Sequence, residues 1–333
     1  MTGPDCCAPS RTGSTPHAAH APAPGGRSSL PTVATTHPAH VDGAGAHAIE
    51  QCAVPAGPFA MGDAQGDGRP QDGEGPVRDV DVPAFWIDAT SVTNDAFAAF
   101  VAATGYVTEA ERYGSSSVFH LALRAEEADV VGYAPAVPWW LQVRGASWRR
   151  PGGPLSDLDG LGDHPVVHVS WHDAQAYCAW AGRALPTEAQ WEKASRGGLV
   201  GRRFPWGDEL LPDGRWRVNI WQGEFPRANT LDDGFLTTAP VRTFEPNGYG
   251  LWQTVGNVWE WCQDVFEARD GRGRLVPARG ADAGSARVLR GGSYLCHDSY
   301  CNRYRNSARS SNTSDSSTGN AGFRTVSLPA GAA

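Results

Sequence analysis

Apolar and polar positions along this chain switch between two periods, and neither is sustained for long. The stretch VPAGPFAMGD, residues 54–63, has the pattern of a strand, a turn and a second strand. VRDVDVPAFWID, residues 77–88, alternates as a half-buried strand does. Between Thr93 and Thr104 the spacing changes: Phe97, Phe100 and Val101 share one face, and Gly105 follows as a stop. That pattern predicts a helix. A second helix is predicted from Ser170, a suitable N-cap, through Tyr177 and Trp180 to Gly182. A third opens at Thr187, where Thr-Glu-Ala-Gln makes a capping box, and closes before Gly197 and Gly198. Beyond it the pattern supports short strands and long loops, with no repeat of solenoid length. The expected fold class is α+β, a single compact domain over residues 50–330 with little regular secondary structure.

Composition adjusts this picture at the N-terminus. Residues 1–49 are mostly Pro, Ala, Gly, Ser, Thr and His, and offer almost nothing to bury. Such a segment cannot offset its conformational entropy, so a disordered tail is expected. In the remainder, 13 Trp and 40 Gly suit large aromatics joined by tight turns. A net charge of −8 gives no reason to expect nucleic acid or an anionic membrane as partner. No apolar run reaches the roughly 20 residues that span a bilayer, and the N-terminus lacks the apolar core of a secretory signal. A cytoplasmic monomer is expected.

Candidate chemistry lies in the cysteines. Seven in a chain this long do not make a disulfide framework. Cys178 and Cys262 sit among aromatics and are expected to be buried small hydrophobes. Cys296 and Cys301 differ. They are five residues apart, too far round to share a helix face, so a bend has to bring them together. Two thiolates then offer a soft site suited to Cu(I), whereas zinc usually takes four ligands and only His297 is near as a third. On spacing alone, a structural disulfide or a pair of buried thiols explains the pattern as well. The flanks favour a reactive pair: Ser293, His297, Tyr300, Asn302, Arg303, Tyr304 and Arg305 surround it, and nearby cations favour the thiolate.

Several separated blocks carry a resemblance: HPVVHVSWHDAQAYCAWAG, ALPTEAQWEKASRGG, FPWGDEL, NIWQGEFPRANTLDDGF, PNGYGLWQTVGNVWEWCQD and RGGSYLCHDSYCNRYRNSARSSNTSDSSTGNAGFR. Over roughly residues 52–328 the chain resembles the formylglycine-generating enzymes of bacterial type, also called sulfatase-modifying factors. Their fold is related to the C-type lectins. The resemblance implies a copper-dependent oxidase. It would use O₂ to convert the cysteine of a Cys-X-Pro-X-Arg motif in a sulfatase to Cα-formylglycine. It implies that Cys296 and Cys301 bind Cu(I), that Ser293 is the active-site serine, and that His297 orders the loop. Ala110, Trp139 and Tyr300 would line the pocket for the substrate proline. Ser115 stands where some relatives carry an Asp that pairs with the substrate Arg.

The same resemblance implies structural Ca²⁺. One site would use the side chains of Asn219 and Asp233 with the carbonyls of Ile220 and Phe235. A second would use Gln253, Gly256, Val258 and Glu260, with Gln253 in place of the usual Asn. Secreted relatives pair the position of Cys178 with another cysteine, where this chain has Thr325. Two other readings compete. A non-catalytic binding module of the same fold has no reason to keep Ser293, Cys296 and Cys301 together. An iron-dependent sulfoxide synthase would add an N-terminal helical domain that residues 1–49 are too short to supply.

Overall fold

A computed structural model of the chain describes residues 9–10, 15–16, 47–269, 275–276 and 286–327. From the N-terminus the elements are β1 (Thr15–Pro16), β2 (Gln51–Val54), β3 (Gly57–Met61), β4 (Arg78–Val82), β5 (Phe85–Asp88), α1 (Asn94–Thr104) and α2 (Glu109–Tyr113). There follow β6 (Ser115–Phe119), β7 (Val130–Tyr133), β8 (Trp140–Arg144), α3 (Trp171–Ala181) and α4 (Glu188–Ser195). The rest is strand and loop: β9 (Gly223–Glu224), β10 (Ala228–Asn229), β11 (Trp259–Val265), β12 (Ala268–Arg269), β13 (Leu275–Val276), β14 (Ala286–Arg290), β15 (Arg309–Thr313), β16 (Ala321–Gly322) and β17 (Val326–Ser327). Short strands in small sheets, with few helices, make this the expected α+β fold.

The three predicted helices form where their caps place them. Thr93 accepts a hydrogen bond from the Ala96 amide, and Gly105 closes α1 at φ 66°. Ser170 and Asp173 cap α3 reciprocally, as Thr187 and Gln190 cap α4. Each cap satisfies amides that the first turn leaves open and contributes about 1 kcal/mol. A fourth helix, α2, is too short to show a period, yet Thr108 and Glu111 give it a capping box of its own.

The strands correct one expectation. The strand, turn and strand expected around residues 54–63 form as β2 and β3, but each takes its partner elsewhere. β2 pairs antiparallel with β5, and β3 with β4. The strand predicted over 77–88 is two strands, broken after Val82, because Pro83 has no amide hydrogen to continue a ladder. The two larger sheets run in the orders β1-β7-β8-β6 and β15-β14-β11-β16.

Aromatic rings fill the space between helices and sheets. Phe97 stacks on Tyr177 at 6.0 Å and meets Trp148 edge-on at 5.2 Å, while Trp259 and Trp261 of β11 are wholly buried. Beside this core lies a buried ionic network. Arg290, at the end of β14, pairs with Glu188 at 2.9 Å and Glu192 at 2.5 Å of α4. Glu188 also pairs with Arg309 of β15, Glu192 with Arg196, and Glu260 with Arg324. Burial alone would raise the Glu188 carboxyl, but Arg309 and Arg290 hold it below its ordinary value. Removing one member of such a buried pair strands its partner and costs about 3–5 kcal/mol.

No helix among the described residues is long and apolar enough to cross a membrane. The expectation of a disordered tail falls largely outside the described residues. Of those described, Pro9 is buried, and the His47 ring bonds both the Tyr177 hydroxyl at 3.0 Å and the Asp88 carboxylate at 2.8 Å.

Candidate active site

The loop holding Cys296 and Cys301 starts where Arg290 is pinned. Gly291 and Gly292 follow with φ of +94° and +75°. A Cβ on Gly292 would lie 2.6 Å from the Arg303 carbonyl and 3.2 Å from the Cys296 sulfur, so only glycine fits. The chain then turns on itself. The Ser293 amide donates to Cys296 Sγ at 3.4 Å, and the Cys296 amide donates to the Ser293 carbonyl at 2.9 Å. Trp221 donates its amide to the Cys296 carbonyl at 3.1 Å. The His297 carbonyl gathers the amides of Tyr300, Cys301 and Asn302 at 3.0, 2.9 and 3.1 Å. This closure bends the chain between Cys296 and Cys301.

Both cysteines are buried, 1% and 0% exposed, and neither is in a disulfide. They share a neighbour. Burial raises the pKa of the Tyr304 phenol, and negative charge at Asp298, Cys296 or Cys301 raises it further. Ser293 is fully buried, and its hydroxyl oxygen accepts from Asn320 Nδ2 at 3.0 Å. The His297 ring bonds Ser299 Oγ at 2.7 Å and lies 3.1 Å from Asp298, so both its carbonyl and its side chain order the loop. Among the described residues no three or more His, Cys, Asp and Glu side chains gather as a metal cage. Two sulfurs on one loop are soft donors of the kind that suits a monovalent ion such as Cu(I).

Contrary to expectation, Arg303 and Arg305 do not present free positive charge to the thiols. Arg303 is held by Asp72 at 2.6 Å, and Arg305 by Glu74 at 2.8 Å. These pairs fasten the exit of the cysteine loop to the segment before β4. Sequence spacing hid this, because the partners are some 230 residues apart.

Trp139 and Tyr300 come together, ring centroids 5.4 Å apart and nearly perpendicular. Phe225, which the sequence reading missed, stacks on Tyr300 at 4.2 Å and meets Trp139 edge-on at 5.4 Å. The three rings make an aromatic corner next to Cys301. Ala110 is fully buried in α2, which leads directly into Ser115 of β6. The Ser115 hydroxyl accepts from Gln142 of β8 at 2.8 Å.

The residues of the first expected calcium site converge. Asp233 accepts from the amides of Ile220 and Phe235, both at 3.0 Å, and Asn219 Oδ1 is buried without a hydrogen-bond partner. Burial raises the Asp233 carboxyl, although amide donors oppose this. Gln222 donates its side-chain amide to the Ile220 carbonyl. An orphaned buried oxygen beside a carboxylate fits a hard cation. In the second expected site, Gln253 Oε1 is likewise an orphan. Gly256 fits closely, since a Cβ there would lie 2.5 Å from the Asn219 carbonyl, and Val258 is buried beside it. The Glu260 carboxylate is taken by Arg324, Ser91 and Trp191, so it has nothing left for a cation.

Cys178 and Cys262 are buried free thiols, raised by burial well above the ordinary range. Thr325 donates its hydroxyl to Asp88 at 2.7 Å.

Comparison with known proteins agrees with this geometry. The family model described as the sulfatase-modifying factor enzyme 1-like domain matches residues 39–328. A Streptomyces coelicolor protein named formylglycine-generating enzyme is 64% identical over 275 residues, 82% of this chain and 88% of its own length. A Thermomonospora curvata protein of the same name is 53% identical over 281 residues, 83% of this chain and 93% of its own length. A Mus musculus relative named inactive C-alpha-formylglycine-generating enzyme 2 is 46% identical over 277 residues, covering 82% and 84%. Among solved structures, PvdO from Pseudomonas aeruginosa aligns with a TM-score of 0.58 at 22% identity, over 84% of this chain and 95% of that one, which shows a shared fold. With a family model spanning most of its length and relatives this similar, the chain belongs to the sulfatase-modifying factor family, the family of the formylglycine-generating enzymes.

Proposed function

We propose that this protein activates sulfatases by converting the cysteine of a Cys-X-Pro-X-Arg motif to Cα-formylglycine, as a copper-dependent oxidase using O₂. The observation that carries the reading is the pair of buried, unbridged thiols on the loop after Gly292, with Ser293 beside them. Cys296 and Cys301 hold Cu(I), and the bound ion with O₂ supplies the oxidation at the target cysteine's Cβ.

The chain's own residues do the remainder. The Gly291–Gly292 turn and the His297 carbonyl fix where the two sulfurs stand. Ser293, oriented by Asn320, presents a hydroxyl next to Cys296. Trp139, Tyr300 and Phe225 offer aromatic walls of the kind that suit a proline ring. Ala110 lines the same pocket, and Ser115 takes the region of the substrate Arg, in place of the Asp that some relatives carry. Calcium is structural, held by Asn219, Asp233 and the carbonyls of Ile220 and Phe235. A second ion at Gln253, Gly256 and Val258 would use the Glu260 carbonyl. A cytoplasmic monomer suits a protein none of whose described cysteines is in a disulfide.

The test is mass spectrometry of a Cys-X-Pro-X-Arg peptide incubated with the protein, copper and O₂. Loss of the thiol with gain of an aldehyde is expected. An unchanged peptide, alongside a folded and copper-loaded protein, would favour a non-catalytic binding module of the same fold.

A further inference from the structure

The tail contains a motif that the domain is proposed to recognise. Residues Cys7-Ala8-Pro9-Ser10-Arg11 spell Cys-X-Pro-X-Arg, and of the seven cysteines only Cys7 opens such a pentapeptide. With 25 prolines in 333 residues, chance seldom sets both a proline and an arginine at the required places after one of seven cysteines.

The structure puts the middle of this pentapeptide against the domain. Pro9 is buried, and its carbonyl accepts a hydrogen bond from Asn312 Nδ2 at 3.2 Å. Asn312 is itself 5% exposed and lies on β15, the strand that follows the cysteine loop. Farther along the tail, Thr15 and Pro16 form β1, pairing antiparallel with Tyr133 and Gly132 of β7. β7 pairs with β8, which begins next to Trp139 of the aromatic corner. The tail therefore meets the domain at two places, β15 and β7, whose neighbours in the chain or the sheet include the cysteine loop and Trp139. A backbone hydrogen bond from a buried amide, followed by strand addition, is how extended peptides are commonly held.

We propose that residues 7–11 are an intramolecular occupant of the groove that takes the target peptide, so that an incoming motif has to displace the chain's own copy. This rests on the function proposed above. Covalent attachment to the same chain sets an effective concentration up to the order of millimolar. An occupant that binds at tens of micromolar would then weaken apparent affinity for an external peptide by about tenfold or more.

The experiment compares the full chain with its Pro9→Ala, Arg11→Ala double variant, both copper-loaded. Binding is read by anisotropy of a fluorescein-labelled peptide with Ser in place of the target Cys, and turnover by mass spectrometry of the Cys peptide. The variant should bind at least fivefold more tightly and show a KM lowered in step, with kcat unchanged. Equal affinity and equal KM would overturn the proposal. If the variant binds more tightly but neither protein converts the Cys peptide, occupancy stands and the proposed activity falls.

Discussion

His168 shows how much a single residue contributes in this fold. It is fully buried at φ 58°, its Nε2 facing the Pro151 carbonyl and its Nδ1 the Ser116 hydroxyl, both at 2.8 Å. A carbonyl only accepts, so Nε2 carries the proton, and Nδ1 lies against the Ser116 hydroxyl. Burial lowers its pKa from 6.5 to about 4. Because the unfolded chain protonates first, stability is complete above pH 6.5 and declines as pH falls toward 4, by about 3 kcal/mol for this group. Urea melts across that range should show the loss, and a His168→Gln variant should show a shallower one. At the site, the residues named from sequence were legible because their chemistry is carried by type and spacing: two cysteines, a serine after two glycines, and aromatics. What supports them was not legible. Phe225 and Asn320 are ordinary residues in sequence, and only the fold brings them to Tyr300 and Ser293.

At the scale of elements, helices could be predicted and strand partners could not. Caps and 3.6-residue spacing are local, so α1, α3 and α4 follow from a dozen residues each. Pairing of β2 with β5 rather than β3 depends on where the whole sheet lies, which no local pattern encodes. The capping argument gives a direct prediction: Thr187→Ala should lower stability by about 1 kcal/mol, measured by thermal or urea unfolding, without altering turnover. The glycine turn gives another. Gly292→Ala forces a left-handed backbone and a 2.6 Å approach to the Arg303 carbonyl, and should cost about 1–3 kcal/mol. It should also reduce turnover per folded molecule, since Cys296 Sγ lies in the same clash. Normal turnover in Gly292→Ala would show that the turn does not set the sulfur's position.

Across the whole molecule, buried ion pairs do what long strands do elsewhere. α4 is tied to β14 and β15 by Glu188 and Glu192, and the cysteine loop is tied to the segment before β4 by Asp72 and Glu74. Arg290→Met should destabilise the protein by about 3–5 kcal/mol, because two buried carboxylates each lose one of their arginine partners. Calcium chelation should lower the Tm more than it lowers turnover per folded molecule; the reverse order would assign calcium a part in the chemistry. The central claim concerns the two sulfurs and is tested most directly by Cu(I) titration against a chromophoric chelator. The wild-type chain should bind one Cu(I) tightly, and Cys296→Ser and Cys301→Ser, folded by circular dichroism, should each lose that binding together with peptide conversion. Undiminished Cu(I) affinity in either folded variant would contradict the account.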